Sequence, residues 1–192
     1  MRWLLAVCGV GATITSPQIV LNLRKMGFTV RVILSPNACK FVSPEALEVI
    51  SGCKVFHSTF DRGDGVVVPH IELAEECDIV VVFPASASMV ARLAYGLADE
   101  LVSATVLHTH RPVVVVPALN ATALNKPVVE RNLLQLERDG YHVLRPVKGK
   151  SVRITDLRDV GVSIASLESV VALVRRLGGK ASQKSLSKLG QK

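Results

Sequence analysis

The chain has 192 residues, of which 49% are hydrophobic, enough apolar surface for one sizeable core but less than two ordinary domains need. The formal net charge of +7 suggests an anionic partner, but four lysines in the last thirteen residues carry much of it. Aromatic residues make up only 4%, which argues against the stacking surfaces of single-strand nucleic-acid binders, so we expect no nucleic-acid partner.

The composition changes near the end of the chain. Residues 1–177 are predicted to form one domain. Residues 178–192 are predicted to be a disordered basic tail, because Ser, Gln, Gly and Lys dominate there and offer little apolar surface to bury.

The beginning of the chain lacks the long apolar core and the cleavage site of a signal peptide, and no apolar run is long enough to span a bilayer. We therefore expect a cytoplasmic protein with no membrane partner. The cysteines Cys8, Cys39, Cys53 and Cys77 are at least 14 residues apart, which predicts free thiols rather than a metal site or a redox dithiol.

Short apolar runs alternate with segments of helical period along the whole chain, a pattern that predicts parallel strands joined by helices. The predicted strands cover residues 3–8, 28–34, 79–83, 112–116 and 141–144, with a candidate brief strand at 55–56. The predicted helices cover residues 16–26, 89–98, 127–138 and 167–177, one helix opened by Pro69, and short pieces across 37–50. Residues 105–107 are extended or helical, and residues 59–66 are a loop. The predicted fold is a single-domain, doubly wound α/β sheet of the Rossmann-like, flavodoxin-like type.

In open α/β sheets, ligands bind outside the carboxyl ends of the strands, so the segments after each strand are informative. Residues 9–14 hold two of the three glycines of a dinucleotide fingerprint, and the end of the second strand offers Ser35 where an acidic residue would bind a ribose. NAD is therefore disfavoured. A glycine turn that opens a helix still suits a single phosphate, although a tight turn without a ligand explains it too.

Small and hydroxyl-bearing residues occupy 84–89, which suits close approach to a phosphate or a ring, although a serine helix cap explains the pattern almost as well. The segment Pro84-Ala85-Ser86-Ala87-Ser88-Met89 resembles the Pro-Ala-Ser-Ala-Asn-Thr motif of the homo-oligomeric flavin-containing cysteine decarboxylases. Ser88 and Met89 depart from that motif, and residues 94–101 resemble its continuation.

The resemblance extends in register to two further segments. Residues 70–74 resemble the stretch whose first residue, here His70, is the family's catalytic histidine. Residues 117–127 resemble the substrate motif Pro-x-Met-Asn-x-x-Met-Trp, but Ala123 and Leu124 replace its Met-Trp pair. A lone histidine is more often structural than catalytic, and Asn120 could equally be a turn or cap residue.

The resemblance and the strand-end positions together predict FMN as the cofactor. The predicted catalytic residues are His70 as general base and Asn120 as holder of the substrate carboxylate. The predicted cofactor-binding residues are Gly9, Gly11, Ala12, Thr13, Ser35, Phe41, Pro84, Ala85, Ser86 and Ser88. The predicted substrate-binding residues are Pro117, Leu119 and Asn120.

The coenzyme A enzymes of the family resemble one another in an Ala-Cys-Gly-Asp motif whose cysteine donates a proton for product reduction, and residues 146–164 here contain no cysteine. The expected reaction is therefore oxidative decarboxylation of the C-terminal cysteine of a ribosomal peptide to an aminoenethiol, as in aminovinyl-cysteine biosynthesis. Residues 149–157 would clamp the precursor peptide.

The resemblance further implies a homo-oligomer, either a trimer or a dodecamer. The alternatives are a phosphopantothenoylcysteine decarboxylase-like enzyme of coenzyme A biosynthesis or its regulatory paralogue, a flavin prenyltransferase, and a non-catalytic flavin-binding subunit.

Overall fold

A five-stranded parallel sheet forms the centre of the computed structural model, which describes residues 1–148 and 162–189. Its strands are β1 (Arg2–Val7), β2 (Thr29–Leu34), β3 (Ile79–Ala85), β4 (Val113–Pro117) and β5 (His142–Val143). Their order in the sheet is β2-β1-β3-β4-β5, and every neighbouring pair is parallel. This is the flavodoxin-like order of doubly wound folds, so the predicted fold class is confirmed.

Helices cover both faces of this sheet. Their bounds are α1 (Ser16–Lys25), α2 (Pro44–Ser51), α3 (Pro69–Glu76), α4 (Ala87–Ala94), α5 (Leu101–His108), α6 (Ala121–Leu124), α7 (Pro127–Arg138) and α8 (Leu167–Leu189). Alternate residues of β1 point to opposite faces: Leu5 packs with α1, α2 and α8, and Leu4 packs with α3, α4, α5 and α7. The chain thus buries two apolar cores, one on each side of one sheet.

The central strand β3 is buried at all seven positions and pairs with both β1 and β4. Its run of Ile, Val and Phe without polar alternation is typical of a strand covered on both faces, as the sequence predicts. Full burial of each valine in this strand contributes about 1.5–3 kcal/mol relative to exposure. The strand therefore fixes the position of the loop that follows it.

Several element boundaries differ from those predicted. Helix α4 ends at Ala94 rather than residue 98, because Gly96 takes a positive φ of 67° that a right-handed helix does not accommodate. Residues 105–107 lie within helix α5, whose first turn is capped by the Glu100 carboxylate through the amide of Ser103 at 2.6 Å. Residues 55–56 contribute one parallel bridge, between Ile33 and Phe56.

Near the end of the chain, β6 (Val147–Lys148) and β7 (Val162–Ser163) pair antiparallel, which the sequence did not predict. The predicted clamp at 149–157 lies outside the described residues. The backbone of α8 continues to Leu189, twelve residues beyond the predicted end at 177, and the disorder expected for the tail stays a prediction. Within residues 1–148 and 162–189, no helix combines the length and apolar character needed to cross a membrane.

Candidate active site

Backbone and side-chain hydrogen bonds join the loops that follow β1 to β4 at the carboxyl edge of the sheet. The amide of Cys8 donates to the carbonyl of Pro84 at 3.1 Å, and the amide of Ala118 donates to the carbonyl of Ala85 at 2.9 Å. The amide of Gly9 donates to Ser35 Oγ at 3.2 Å. The four strand-end segments predicted from the sequence therefore meet at one connected surface.

The turn after β1 requires a glycine at position 9. A Cβ atom there would lie 2.5 Å from the carbonyl carbon of Asn37 and 2.6 Å from its oxygen, which is closer than real Cβ contacts come. A Cβ atom at Gly11 would meet nothing within 4 Å. The first glycine thus allows the loops after β1 and β2 to touch, while the second leaves open space beside the turn.

Thr13 holds the same turn together. Its Oγ1 accepts a hydrogen bond from the amide of Val10 at 3.0 Å and donates one to the carbonyl of Cys8 at 2.6 Å. The residue is fully buried, so its hydroxyl already has its partners within the turn. The structure therefore gives Thr13 a role in shaping the loop, beside its predicted contact with a cofactor.

Ser16 begins helix α1 directly after this turn. It is fully buried, and its hydroxyl has no hydrogen-bond partner among the described residues. A buried hydroxyl without a partner is rare in folded proteins, and the free amides at the start of a ten-residue helix favour an anion nearby. The glycine turn, the Ser16 hydroxyl and the helix start together fit the phosphate of a flavin mononucleotide.

A cavity of about 350 Å³ lies among these loops. It is lined by Gly9, Ser35, Pro36, Asn37, Ser86, Ser88, Met89, Arg92, Asp99 and Glu100. Four of the predicted cofactor-binding residues therefore surround one space. Ser86 also caps helix α4, since its Oγ accepts a hydrogen bond from the amide of Met89 at 3.1 Å. The cap and the cavity are compatible roles for one serine.

Arg92 and Asp99 were not singled out in the sequence, and both line this cavity. Arg92 Nε donates to Asp99 Oδ1 at 2.8 Å, and this hydrogen bond lowers the pKa of the Asp99 carboxyl. The two residues are seven positions apart and meet because the chain turns at Gly96 after helix α4. In the sequence, an Arg on α4 followed by an acidic residue shortly after Gly96 is the pattern that could have predicted this ion pair.

The remaining predicted residues lie elsewhere at this edge. Phe41 follows a short 3₁₀ turn, and 46% of it is exposed; it does not line the Ser86 cavity. Pro117 is buried as the last residue of β4, and Leu119 is half-buried. Asn120 is exposed and caps helix α6, because its Oδ1 accepts a hydrogen bond from the amide of Ala123 at 2.8 Å. Asn120 lines neither the Ser86 cavity nor the one that contains His70.

His70 lies in the first turn of helix α3 and lines a cavity of about 620 Å³. Its Nδ1 is buried and has no hydrogen-bond partner among the described residues. Its ring meets that of His108 at a near-perpendicular angle, with 6.3 Å between the ring centroids. Glu72 fixes the approach to this helix by accepting hydrogen bonds from the amides of Val67 and Val68, which lower the pKa of its carboxyl.

A third cavity, of about 510 Å³, adjoins both of these spaces. It shares Thr59 and Phe60 with the His70 cavity, and it shares Pro36, Asp99 and Glu100 with the Ser86 cavity. The predicted cofactor loops and the predicted base thus border one run of adjoining cavities. Asn120 stands apart from that run.

The two buried cysteines, Cys8 after β1 and Cys77 before β3, are poor nucleophiles. Burial raises the pKa of the Cys8 thiol to about 12 and that of the Cys77 thiol to about 11. Both thiols therefore stay protonated near neutral pH, and the thiolate is the reactive form. Among the residues predicted from the sequence, His70 is the better candidate for proton transfer.

Known proteins are similar to this chain in sequence and in fold. The Coenzyme A biosynthesis bifunctional protein CoaBC of Bacillus subtilis (strain 168) is 35% identical over 146 residues, which are 76% of this chain and 36% of that protein. The chain thus spans about a third of the length of the bifunctional relatives it matches. The Probable phosphopantothenoylcysteine decarboxylase of Streptococcus mutans is 31% identical over 171 residues, covering 88% of this chain and 93% of that protein.

Among solved structures, the FMN-dependent cysteine decarboxylase SpaF has a TM-score of 0.78 and 28% identity, and the match covers 90% of this chain and 94% of SpaF. This similarity confirms the predicted family and its flavin cofactor. The family model named Flavoprotein matches residues 1–181. With that match over the whole sheet and the strand-end loops, the chain belongs to the Flavoprotein family.

Proposed function

We propose that this chain is an FMN-dependent decarboxylase of an N-acylcysteine, and that phosphopantothenoylcysteine is the first candidate substrate. The observation that carries the proposal is the position of His70, whose buried Nδ1 has no described partner and whose cavity adjoins the space that leads to the flavin loops. Relatives named for coenzyme A biosynthesis, at 35–36% identity, and one named as a probable phosphopantothenoylcysteine decarboxylase, at 31% identity, support the substrate class.

The chemistry that FMN supplies when bound is the removal of two electrons from the thiol-bearing carbon of the substrate. The loop residues of the chain bind and orient. The glycine turn, Ser16 and the start of α1 would hold the phosphate, and Ser86 and Ser88 would line the space beside it. His70 would take up the proton of the substrate thiol, because histidine is the side chain that most often serves as a general base.

A peptide that ends in cysteine is the second candidate substrate. It is also an N-acylcysteine, so the same reacting group would enter the same cavity. The specific observation in its favour is the absence of cysteine from residues 146–164, which leaves the chain without the family's donor for reducing the enethiol product. The precursor peptide, the trimeric or dodecameric assembly and the cytoplasmic location stay predictions.

The two candidates are separated by offering both substrates to the FMN-loaded protein and weighing the products. Phosphopantothenoylcysteine that loses carbon dioxide alone indicates a complete coenzyme A-type reaction. Loss of carbon dioxide together with two hydrogens indicates that the reaction stops at the enethiol. Turnover of the peptide but not of phosphopantothenoylcysteine would make the peptide the substrate, and no turnover of either would refute the decarboxylase proposal.

The role of His70 is tested with the variant His70→Asn. The control is His110→Asn, because His110 is exposed and does not line the His70 cavity. We expect His70→Asn to retain flavin absorbance and to lose about 10²- to 10⁴-fold in turnover, the usual contribution of a general base. Wild-type turnover in this variant would show that His70 has a structural role only.

A further inference from the structure

A cavity of about 200 Å³ lies at the amino edge of the sheet, where strands β1 and β2 begin and helix α3 ends. Strand β1 is six residues long, so the cavity is about 20 Å from the loops that follow the parallel strands. None of the residues predicted to bind cofactor or substrate lines it. This space is therefore separate from the candidate active site. Its lining includes the charged residues Arg2, Arg31 and Glu76 and the apolar residues Leu4, Leu73 and Cys77.

Arg31 is a charged residue on a covered face of the sheet. Its neighbours Val30 and Val32 pack in the core on the α1 side, so the alternation along β2 turns Arg31 towards the face that α3 covers. Only 25% of its side chain is exposed. A guanidinium group is thus held largely away from water beside the cavity.

The donors of this guanidinium lack acceptors. Its described partner is Glu76, in an ion pair with 3.4 Å between Nε and Oε2. That distance exceeds the roughly 2.7–2.9 Å of a charged hydrogen bond, and Nη1 is buried with no partner in the part of the chain that the structure describes. Burying a charged group costs free energy unless its donors are paired, so an acceptor supplied by a ligand would stabilise Arg31.

The charges of the lining favour an anion. Two guanidinium groups, those of Arg2 and Arg31, face one carboxylate, that of Glu76. Arg2 Nη2 also donates to Asp78 Oδ1 at 3.0 Å, so Arg31 is the less satisfied of the two cations. Because the side chain of Glu76 is 48% exposed, its carboxylate can turn to water when another anion takes its place beside Arg31.

The remainder of the lining is apolar and limits the size of a ligand. Leu4, Leu73 and Cys77 are all buried. Burial raises the pKa of the Cys77 thiol to about 11, so Cys77 is present as a small uncharged group near neutral pH. A space of 200 Å³ equals roughly seven water volumes, below the size of the pockets that hold drug-sized ligands.

A guanidinium group binds carboxylates and phosphates alike, and the buried leucines decide between them. Inorganic phosphate is polar on every side, whereas a carboxylate on a short alkyl chain has one polar end and one apolar end. We infer that this cavity binds a small aliphatic carboxylate, whose oxygens accept hydrogen bonds from Arg31 and whose chain packs on Leu4 and Leu73. The inference does not depend on the proposed decarboxylation.

The test uses butyrate and butyramide, which share one carbon chain and differ in charge, together with inorganic phosphate. Affinities are measured by ligand-observed NMR titration of the FMN-loaded protein. The variant is Arg31→Gln, and the matched control is Arg138→Gln, which removes the same group at an exposed position outside the cavity. Intermolecular NOEs from butyrate to the assigned leucine methyl groups of the wild-type protein locate the ligand without any variant.

We expect butyrate to bind about tenfold more tightly than butyramide, as a charged hydrogen bond provides, with NOEs to the methyl groups of Leu4 and Leu73. Arg31→Gln should weaken butyrate binding by about tenfold and leave butyramide binding unchanged. Arg138→Gln should bind both within about twofold of the wild type, given the small effect of remote exposed charges.

Four results would overturn the inference: a wild-type protein that does not bind butyrate, equal affinity for butyrate and butyramide, tighter binding of phosphate than of butyrate, and NOEs confined to other methyl groups. Wild-type affinity for butyrate in Arg31→Gln would overturn it as well. If Arg31→Gln does not fold, the ligand preference and the NOEs of the wild-type protein decide the question.

Discussion

Gly9→Ala is expected to destabilise the protein and to abolish flavin binding together. The added methyl group would lie 2.5 Å from the carbonyl carbon of Asn37, 2.6 Å from its Cβ and 2.6 Å from its oxygen. Two of these atoms belong to the backbone, so the contact cannot be relieved by rotating a side chain. The loops after β1 and β2 must move apart, and the hydrogen bond from the Gly9 amide to Ser35 Oγ is lost with them.

The size of the effect follows from these contacts. Overpacking of a well-packed site costs about 1–3 kcal/mol, and the lost hydrogen bond contributes about 1 kcal/mol of that range. Gly11→Ala is the matched control, because a Cβ there meets no atom within 4 Å and the residue has no positive φ. The free energy of unfolding of Gly11→Ala should stay the same or rise by about 0.4–1 kcal/mol, because alanine lowers the conformational entropy of the unfolded chain.

Urea unfolding of the flavin-free proteins measures the two free energies without the stabilisation that a bound ligand adds. Flavin content is then read from the absorbance of the reconstituted proteins. A Gly9→Ala protein with the wild-type urea midpoint and full flavin content would refute the tight approach of the two loops. Equal destabilisation by Gly9→Ala and Gly11→Ala would show that the turn requires glycine for a different reason.

Three further predictions concern the thiols, the helix cap and the assembly. At pH 8 a maleimide should modify Cys39 and Cys53 before Cys8 and Cys77, because burial raises the pKa of the Cys8 thiol to about 12 and that of the Cys77 thiol to about 11. The order of modification is read from peptide mass spectra over time, and earlier modification of Cys8 would contradict the prediction. Asn120→Ala should cost about 1 kcal/mol of local stability because the helix cap is lost, whereas Asn120→Ser keeps a hydroxyl acceptor for the cap. Turnover that survives in Asn120→Ser would show that Asn120 caps helix α6 and does not bind the substrate. Ultracentrifugation over a concentration series, with and without FMN, should show a trimer or a multiple of three, and a 20.6 kDa monomer that holds FMN tightly would contradict it.

The parts of the fold that the sequence predicts best are those with a single periodic signal. The strand β3 was predicted from its uninterrupted apolar run, and helix α7 begins at Pro127 and ends at Arg138 as predicted, with Gly140 at a φ of 90° just beyond it. Helix α5 gives no such signal, because Leu101, Val102 and Val106 are buried together and leave no polar stripe. Its length and the cap at Glu100 were the only available cues.

The residues of the candidate site also fall into those that the sequence predicts and those that it does not. Gly9, Ser35, Ser86 and Ser88 come together around one cavity because parallel strands end at one edge, and this consequence of topology can be read from a sequence. The meeting of Arg62, His70 and His108 depends on how a loop, the start of α3 and the end of α5 pack in space. No spacing in the sequence encodes that meeting, so it was not predicted.

The contrast between rigid strand-end loops and exposed cavity residues explains how one fold can serve two substrates. The sheet and the strand-end loops are fixed by buried strands and backbone hydrogen bonds, so relatives that share them can share a cofactor whatever they decarboxylate. Arg62 and His108 are exposed; Arg62 lies within the loop before α3 and His108 at the end of α5, where a change disturbs little else. Both candidate substrates carry the same cysteine thiol and carboxylate, so these two groups cannot distinguish them. The choice between them would then depend on groups that contact the acyl chain beyond the cysteine.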